Sequence, residues 1–230
     1  MQYKIITDEL AALANKDYAD HYMKFFQTHK GGYGEGDTFW GIRAPNLRAV
    51  AKKYTKTATL EDMGCLMEHK IHEARVTGLL LMNARMKKDA EAVKSLYLDK
   101  IDRINNWDLV DISAPNILGI YCYDRKDISL LWELARSGKL WRERISIIAT
   151  LWHTRKGSLN EALLFAEYFL RHKHDLMHKA AGWVLREAGK KDETALLVFL
   201  DKHYKNMPRT MLRYSLERLN EQKRKHYMAK

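Results

Sequence analysis

Apolar side chains recur along this chain at intervals of three and four residues, the spacing that lays a stripe along one face of a helix. In residues 8–29, Tyr18, Tyr22, Phe25 and Phe26 share such a stripe, which predicts an amphipathic helix, or a pair of them, capping a larger helical array. The pattern breaks at Gly31-Gly32-Tyr33-Gly34-Glu35-Gly36, because so many glycines cannot stay helical cheaply. No strand precedes this loop and no Gly-Lys-Ser/Thr follows it, so it is not a phosphate-cradling loop. Beyond it, Phe39 to Tyr54 predicts a helix with Pro45 in its first turn and Arg48 and Lys52 one turn apart as a basic stripe. Paired helices then alternate across the polar connectors Arg136-Ser137-Gly138-Lys139, Arg155-Lys156-Gly157-Ser158 and Ala188-Gly189-Lys190-Lys191-Asp192. The last unit opens at Met207-Pro208 and trails into a basic tail, Gln222-Lys223-Arg224-Lys225-His226, expected to fray.

Within this pattern five segments repeat: Arg75-Val76-Thr77, Asp111-Ile112-Ser113, Arg144-Ile145-Ser146, Lys179-Ala180-Ala181 and Arg213-Tyr214-Ser215, at steps of 36, 33, 35 and 34 residues. Each runs charged, then apolar or aromatic, then small. A period of this length points to helical hairpins stacked into a solenoid, in which equivalent positions line up along one face. The fold class is therefore all-α, an α-α superhelix with a concave basic groove. Four cations and one acid occupy the leading position, and the acid, Asp111, is the informative exception. A carboxylate set against phosphate is repelled by it, which points to chemistry at that position and adhesion at the others.

A repeat array of 230 residues needs no internal boundary, since each unit buries its apolar face on its neighbours, so residues 1–230 are expected to be one domain. Only 3 Pro and 12 Gly interrupt a chain rich in helix formers. The net charge of +11, with basic residues spread along the whole length, suits a nucleic-acid or anionic-surface binder. No run is long enough to cross a membrane, and the amino terminus lacks the apolar core of a signal peptide, so a cytoplasmic, non-membrane protein is expected. Cys65 and Cys122 lie far apart, and His172, His174 and His178 lack companion ligands at useful spacing. Neither a metal nor any other cofactor is expected.

The segment Asn105-Asn106-Trp107-Asp108-Leu109-Val110-Asp111 is the densest in candidate chemistry. If helical from about Asp108, residues 107 and 111 project from one face and place an indole beside a carboxylate. Trp183 lies four residues beyond Lys179, and Trp141 precedes Arg144 by three, so both fall near the same column. Two plainer readings compete: Asp108 or Asp111 caps a helix or pairs with Arg75 or Arg144, and the indoles belong to the core.

These residues carry a resemblance. The chain resembles the AlkD-like DNA alkylation repair glycosylases, HEAT-like repeat proteins that excise positively charged 3- or 7-alkylated purines. The similarity is most specific in Trp107-Asp108-x-x-Asp111, in Trp141-x-x-Arg144 and in Lys179-Ala180-Ala181-Gly182-Trp183-Val184-Leu185-Arg186-Glu187, and weaker from Pro208 to Arg213. It implies a catalytic carboxylate at Asp111, groove-lining indoles at Trp107 and Trp183 and a backbone-contacting arginine at Arg144. Arg75, Lys179, Arg213, Arg48, Lys52 and Arg186 join Arg144 as the expected DNA-binding set. The implied protein is a monomer that acts on duplex DNA carrying alkylated purines, by hydrolysis of the N-glycosidic bond and without turning the base into a pocket. The Gly31 to Gly36 loop departs from the family pattern by its length and glycine content. A non-catalytic DNA-structure-binding protein on the same scaffold is the alternative, and a protein-interaction solenoid a more distant one.

Overall fold

The computed structural model describes residues 2–229. Every element in that span is helical, and the sole β feature is an isolated bridge between Thr38 and Ile71. The chain divides into two compact units, Met1–Ser113 and Ala114–Lys230.

The first unit contains α1 (Gln2–Ala11), α2 (Lys16–Phe25), α3 (Ala44–Tyr54), α4 (Leu60–Glu68), α5 (His72–Arg85), α6 (Ala90–Asp99), a 3₁₀ turn at Ile101–Arg103 and α7 (Trp107–Ser113). Helix α5 is its centre: α3, α4, α6 and α7 all pack on it, and its residues from His72 through Leu79 are buried without interruption. A helix enclosed on all sides has no polar face to show, so its sequence reads as only weakly amphipathic. The second unit opens with a π-helical turn at Pro115–Gly119, where Pro115 cannot donate the amide that a continuing α-helix requires. There follow α8 (Ile120–Arg125), α9 (Ser129–Ala135), α10 (Leu140–Arg155), α11 (Asn160–Tyr168), a 3₁₀ turn at Phe169–Arg171, α12 (Asp175–Lys191), α13 (Glu193–His203), α14 (Arg209–Ser215) and α15 (Glu221–Met228). Here α10, α12 and α14 pack in succession, with α9 and α11 against α10 and with α13 against α12.

Each repeating segment falls in one helix of these stacks, namely α5, α7, α10, α12 or α14, as its fourth or fifth residue. The small third residue is buried every time, at Thr77, Ser113, Ser146, Ala181 and Ser215. Where it carries a hydroxyl, that group donates back to a carbonyl one turn earlier: Thr77 to Glu73 at 2.9 Å, Ser113 to Leu109 at 2.6 Å, Ser146 to Glu143 at 2.6 Å and Ser215 to Leu212 at 2.7 Å. This satisfies a polar group inside the stack from within its own helix, and the Ser113 hydroxyl also meets that of Tyr97 on α6 at 3.0 Å. The sequence period is thus first a packing period, in which small side chains let neighbouring helices approach.

Three boundaries differ from the sequence reading. The segment 8–29 is divided between α1, which already begins at Gln2, and α2, which carries the aromatic stripe and whose start is capped by the Asn15 side chain accepting from the Tyr18 amide at 3.0 Å. Gly189 does not end α12, which continues to Lys191; a β-carbon there would stand 2.4 Å from Leu196, so this glycine admits α13 at close range. The basic tail is not frayed. It forms α15, capped by Asn220, and the buried Tyr227 donates its hydroxyl to Asp201 at 2.6 Å.

Gly41 links the glycine-rich segment to α3 with φ +78°, and a β-carbon on it would lie 2.1 Å from the Asn15 carbonyl oxygen. Both the backbone region and the space forbid a side chain. Gly41→Ala is expected to lower the denaturant midpoint by the equivalent of roughly 2 kcal/mol or more, measured by chemical unfolding; a midpoint unchanged from the parent would contradict this packing.

Candidate functional site

The chemistry-rich segment enters α7 through Asn105 and Asn106. Asn106 is fully buried and its side-chain oxygen accepts the Trp107 amide at 2.8 Å, so the helix starts at Trp107, one residue earlier than predicted. Trp107, Asp108 and Asp111 are all half-buried. Trp107 and Asp111 are four residues apart on this helix and so share a face. The indole stacks on Phe26, with ring centroids 5.3 Å apart and planes 26° apart, meets Phe25 edge-on and donates its Nε1–H to the Tyr33 hydroxyl at 3.3 Å. Tyr33 comes from the glycine-rich loop, which therefore folds back against α7.

Beneath this turn lies a buried charge network that the sequence did not reveal. His72, the first residue of α5, is 2 % exposed. Its Nδ1 is 3.0 Å from Asp37 Oδ2 and its Nε2 is 2.7 Å from Asp108 Oδ2. Arg75, one turn along, donates to Asp37 Oδ1 at 2.5 Å, to the His69 and Lys70 carbonyls and to Asn105 Oδ1. Asn105 in turn donates to Asp37 at 3.1 Å. Burial alone would drive the imidazole neutral, but the charge and hydrogen bond of Asp108 and the hydrogen bond of Asp37 outweigh it and raise His72 to about 9. Burial likewise works against the Asp37 carboxylate, yet the His72 hydrogen bond and the Arg75 charge bring it down to about 2. Glu73, also buried, accepts the amides of Trp40, Gly41 and Ile42 at 3.0, 2.7 and 3.1 Å, a run of successive N–H groups closing on one carboxylate. It anchors the entry to α3.

Aromatic rings cover the network. Phe39 stacks on the His72 ring at 4.6 Å and on Phe26 at 5.1 Å. Beside them opens a cavity of about 260 Å³ whose walls include Tyr22, Phe25, Phe26 and Phe39, with Arg48 and Asp108 among its few charged groups.

The predicted cations do not form a uniform row. Arg75 is 2 % exposed and committed to Asp37, which corrects its assignment as a DNA contact: a guanidinium paired inside the core cannot reach a phosphate. Arg144 is 4 % exposed and donates to the Leu176 carbonyl at 2.5 Å in the first turn of α12, so it braces that turn and is not an open phosphate fork. Arg186 pairs with Glu217 and approaches Glu187. Lys179 holds Asp175 at 2.9 Å with its side chain 39 % exposed, and Arg213, Arg48 and Lys52 are exposed. Trp183 is half-buried on α12, four residues beyond Lys179.

His172, His174 and His178 serve the start of α12: His172 meets Glu143 at 3.0 Å, the His174 ring accepts the Leu176 amide, and His178 bonds the His172 carbonyl. No group of three His, Cys, Asp or Glu side chains among the described residues could hold a metal ion. Cys122 is buried, which pushes its thiol up to about 12, beyond nucleophilic use near neutrality. No helix among the described residues is long and apolar enough to cross a membrane.

The residues around this network that sequence reasoning did not single out are Asp37, His72 and Glu73. His72-Glu73-x-Arg75 in one helical turn was visible as a dense polar cluster in an otherwise apolar helix, and that was the available signal.

The fold matches a solved structure, "Predicted DNA alkylation repair enzyme from Enterococcus faecalis", with a TM-score of 0.69 over 90 % of this chain and 97 % of that one, at 16 % sequence identity. No curated protein matches. The sequence pattern of one family, described as DNA alkylation repair enzyme, matches residues 6–219, nearly the whole length; the chain belongs to the DNA alkylation repair enzyme family.

Proposed function

We propose that the protein is a DNA glycosylase that removes positively charged 3- or 7-alkylated purines from duplex DNA. The observation that carries the reading is the pairing of the half-buried Asp111 with the half-buried Trp107 on one face of α7, in a family member of net charge +11. A purine alkylated at ring position 3 or 7 is already cationic, so the C1′–N bond breaks with its electron pair passing to the base, which leaves neutral without a general acid. Charge then develops on the sugar as in glycoside hydrolysis, and a nearby carboxylate stabilises it. Asp111 supplies that charge and orients the water, whose oxygen bonds to C1′ and whose proton passes to solvent. Trp107 offers its π face to the sugar and the cationic base. Neither metal nor cofactor has a role in this scheme.

Phosphate contacts are assigned to the accessible cations Lys179, Arg213, Arg48 and Lys52, and Arg144 acts by bracing the first turn of α12. The logarithm of duplex affinity should fall with the logarithm of salt by roughly 0.9 per phosphate neutralised, with little dependence on sequence. Lys179→Ala and Arg213→Ala should each lower that slope by about 1. A flat titration by fluorescence anisotropy would sink the phosphate reading. For the chemistry, methylated plasmid DNA incubated with the protein should acquire abasic sites, scored as alkali-labile breaks; breaks no more frequent than in untreated plasmid would remove the glycosylase assignment.

A further inference from the structure

Both ring nitrogens of His72 face carboxylate oxygens, Asp37 at 3.0 Å and Asp108 at 2.7 Å. A carboxylate only accepts, so both bonds form only when both nitrogens carry hydrogen, that is, when the ring is an imidazolium. A neutral imidazole would turn a lone pair toward one of the two oxygens.

The two carboxylates are not equally supported. Asp37 also receives Arg75 and Asn105, whereas the other oxygen of Asp108 is buried with no hydrogen-bond partner. Loss of the His72 proton therefore falls on Asp108. That residue sits in the first turn of α7, directly after Trp107 and three residues before Asp111, in a helix only seven residues long. Its first turn is anchored by Asp108 on the His72 ring and by Trp107 on Phe26. We propose that His72, as an imidazolium bridging Asp37 and Asp108, is a positioning residue that fixes the first turn of α7 and thereby sets Trp107 and Asp111 for base excision.

The catalytic half of this inference rests on the glycosylase reading above; the structural half does not. The groups facing His72 are Asp37 from the glycine-rich segment, Asp108 from α7 and Arg75 from its own helix, whose Nη2 lies 3.5 Å from Nδ1. Arg48 of α3 and Glu73 border the adjoining cavity, and Phe26 and Phe39 pack on the ring. Its elevated affinity for the proton, to about 9, places the transition above neutrality. The sign follows from linkage: a group with a raised folded-state value contributes stability that is full below its unfolded value near 6.5 and lost as pH rises through about 9.

The test follows three signals on the intact protein from pH 6 to pH 10: the His72 ring resonances, the Trp107 indole N–H resonance and the single-turnover release of 7-methylguanine from duplex DNA. His72 should titrate near pH 9, with the indole resonance shifting at the same midpoint and excision falling about tenfold per pH unit above it. In Asp108→Asn the side-chain amide accepts from the protonated ring through its oxygen and, turned over, donates its N–H to the neutral ring, so the alkaline drop in rate should vanish. A His72 midpoint at or below its ordinary value overturns the proposal. So does a midpoint near pH 9 that moves neither the indole nor the rate, or an alkaline drop that survives in Asp108→Asn. Coupled His72 and Trp107 shifts with no excision at any pH would support the positioning of α7 and overturn the glycosylase reading instead.

Discussion

Asp111→Asn should abolish most excision while leaving DNA binding intact. The substitution keeps the side-chain outline on α7 and removes the charge assigned to the oxocarbenium-like transition state. Losing one preorganised electrostatic contact of this kind costs on the order of a hundredfold or more in rate. Binding should hold or tighten slightly, because a carboxylate no longer opposes phosphate. A purely architectural Asp111 gives the reverse pattern: a lowered melting temperature, with excision per folded molecule close to that of the parent. Single-turnover rates measured beside equilibrium binding and a thermal melt separate the two, and near-normal excision would take Asp111 out of the chemistry.

The second large effect concerns Arg75, which the repeat pattern assigns to DNA and the structure places in the core. Arg75→Ala leaves Asp37 beside His72 and Asn105 but without its guanidinium, in a site where Asp37 and Arg75 are both less than a tenth exposed. Breaking a buried pair from one side costs about 3–5 kcal/mol, or roughly 6–20 °C of melting temperature in a protein of this size. The salt dependence of DNA binding by the folded fraction should be unchanged. If the variant melts with the parent and loses one phosphate's worth of salt slope, Arg75 is a DNA contact after all. The low value of Asp37 adds a pH signature: its contribution is present above the unfolded carboxylate value near 3.8 and lost as pH falls through about 2. Together with His72, this sets the plateau of the network's contribution between about pH 4 and pH 6.5.

These two residues also mark how far the sequence could be read. The column from Arg75 to Arg213 was legible because its third members, Thr77, Ser113, Ser146, Ala181 and Ser215, are small and buried in every segment, and a packing constraint leaves a period in the chain. The charge at the head of each segment carries no such constraint, so a shared position did not mean shared exposure: Arg213 is exposed while Arg75 and Arg144 are buried. Pro45 in the first turn of α3 and the glycine-rich break were local signals and appear where they were expected. The bridge from Asp37 through His72 to Asp108 joins residues 35 and 36 positions apart, and no local pattern encodes a contact of that range. Gly189 misled for a related reason. Its role is to admit Leu196, and a single glycine does not reveal whether it ends a helix or lets another approach.

The central claim is that this protein hydrolyses an N-glycosidic bond, and the most direct measurement is mass spectrometry of the small molecules released from a duplex carrying a single 7-methylguanine under excess protein at pH 7. The account predicts one free, intact 7-methylguanine per duplex, matched by one abasic site in an otherwise unbroken strand. A folded protein that binds the duplex yet releases no base above the spontaneous rate would contradict it.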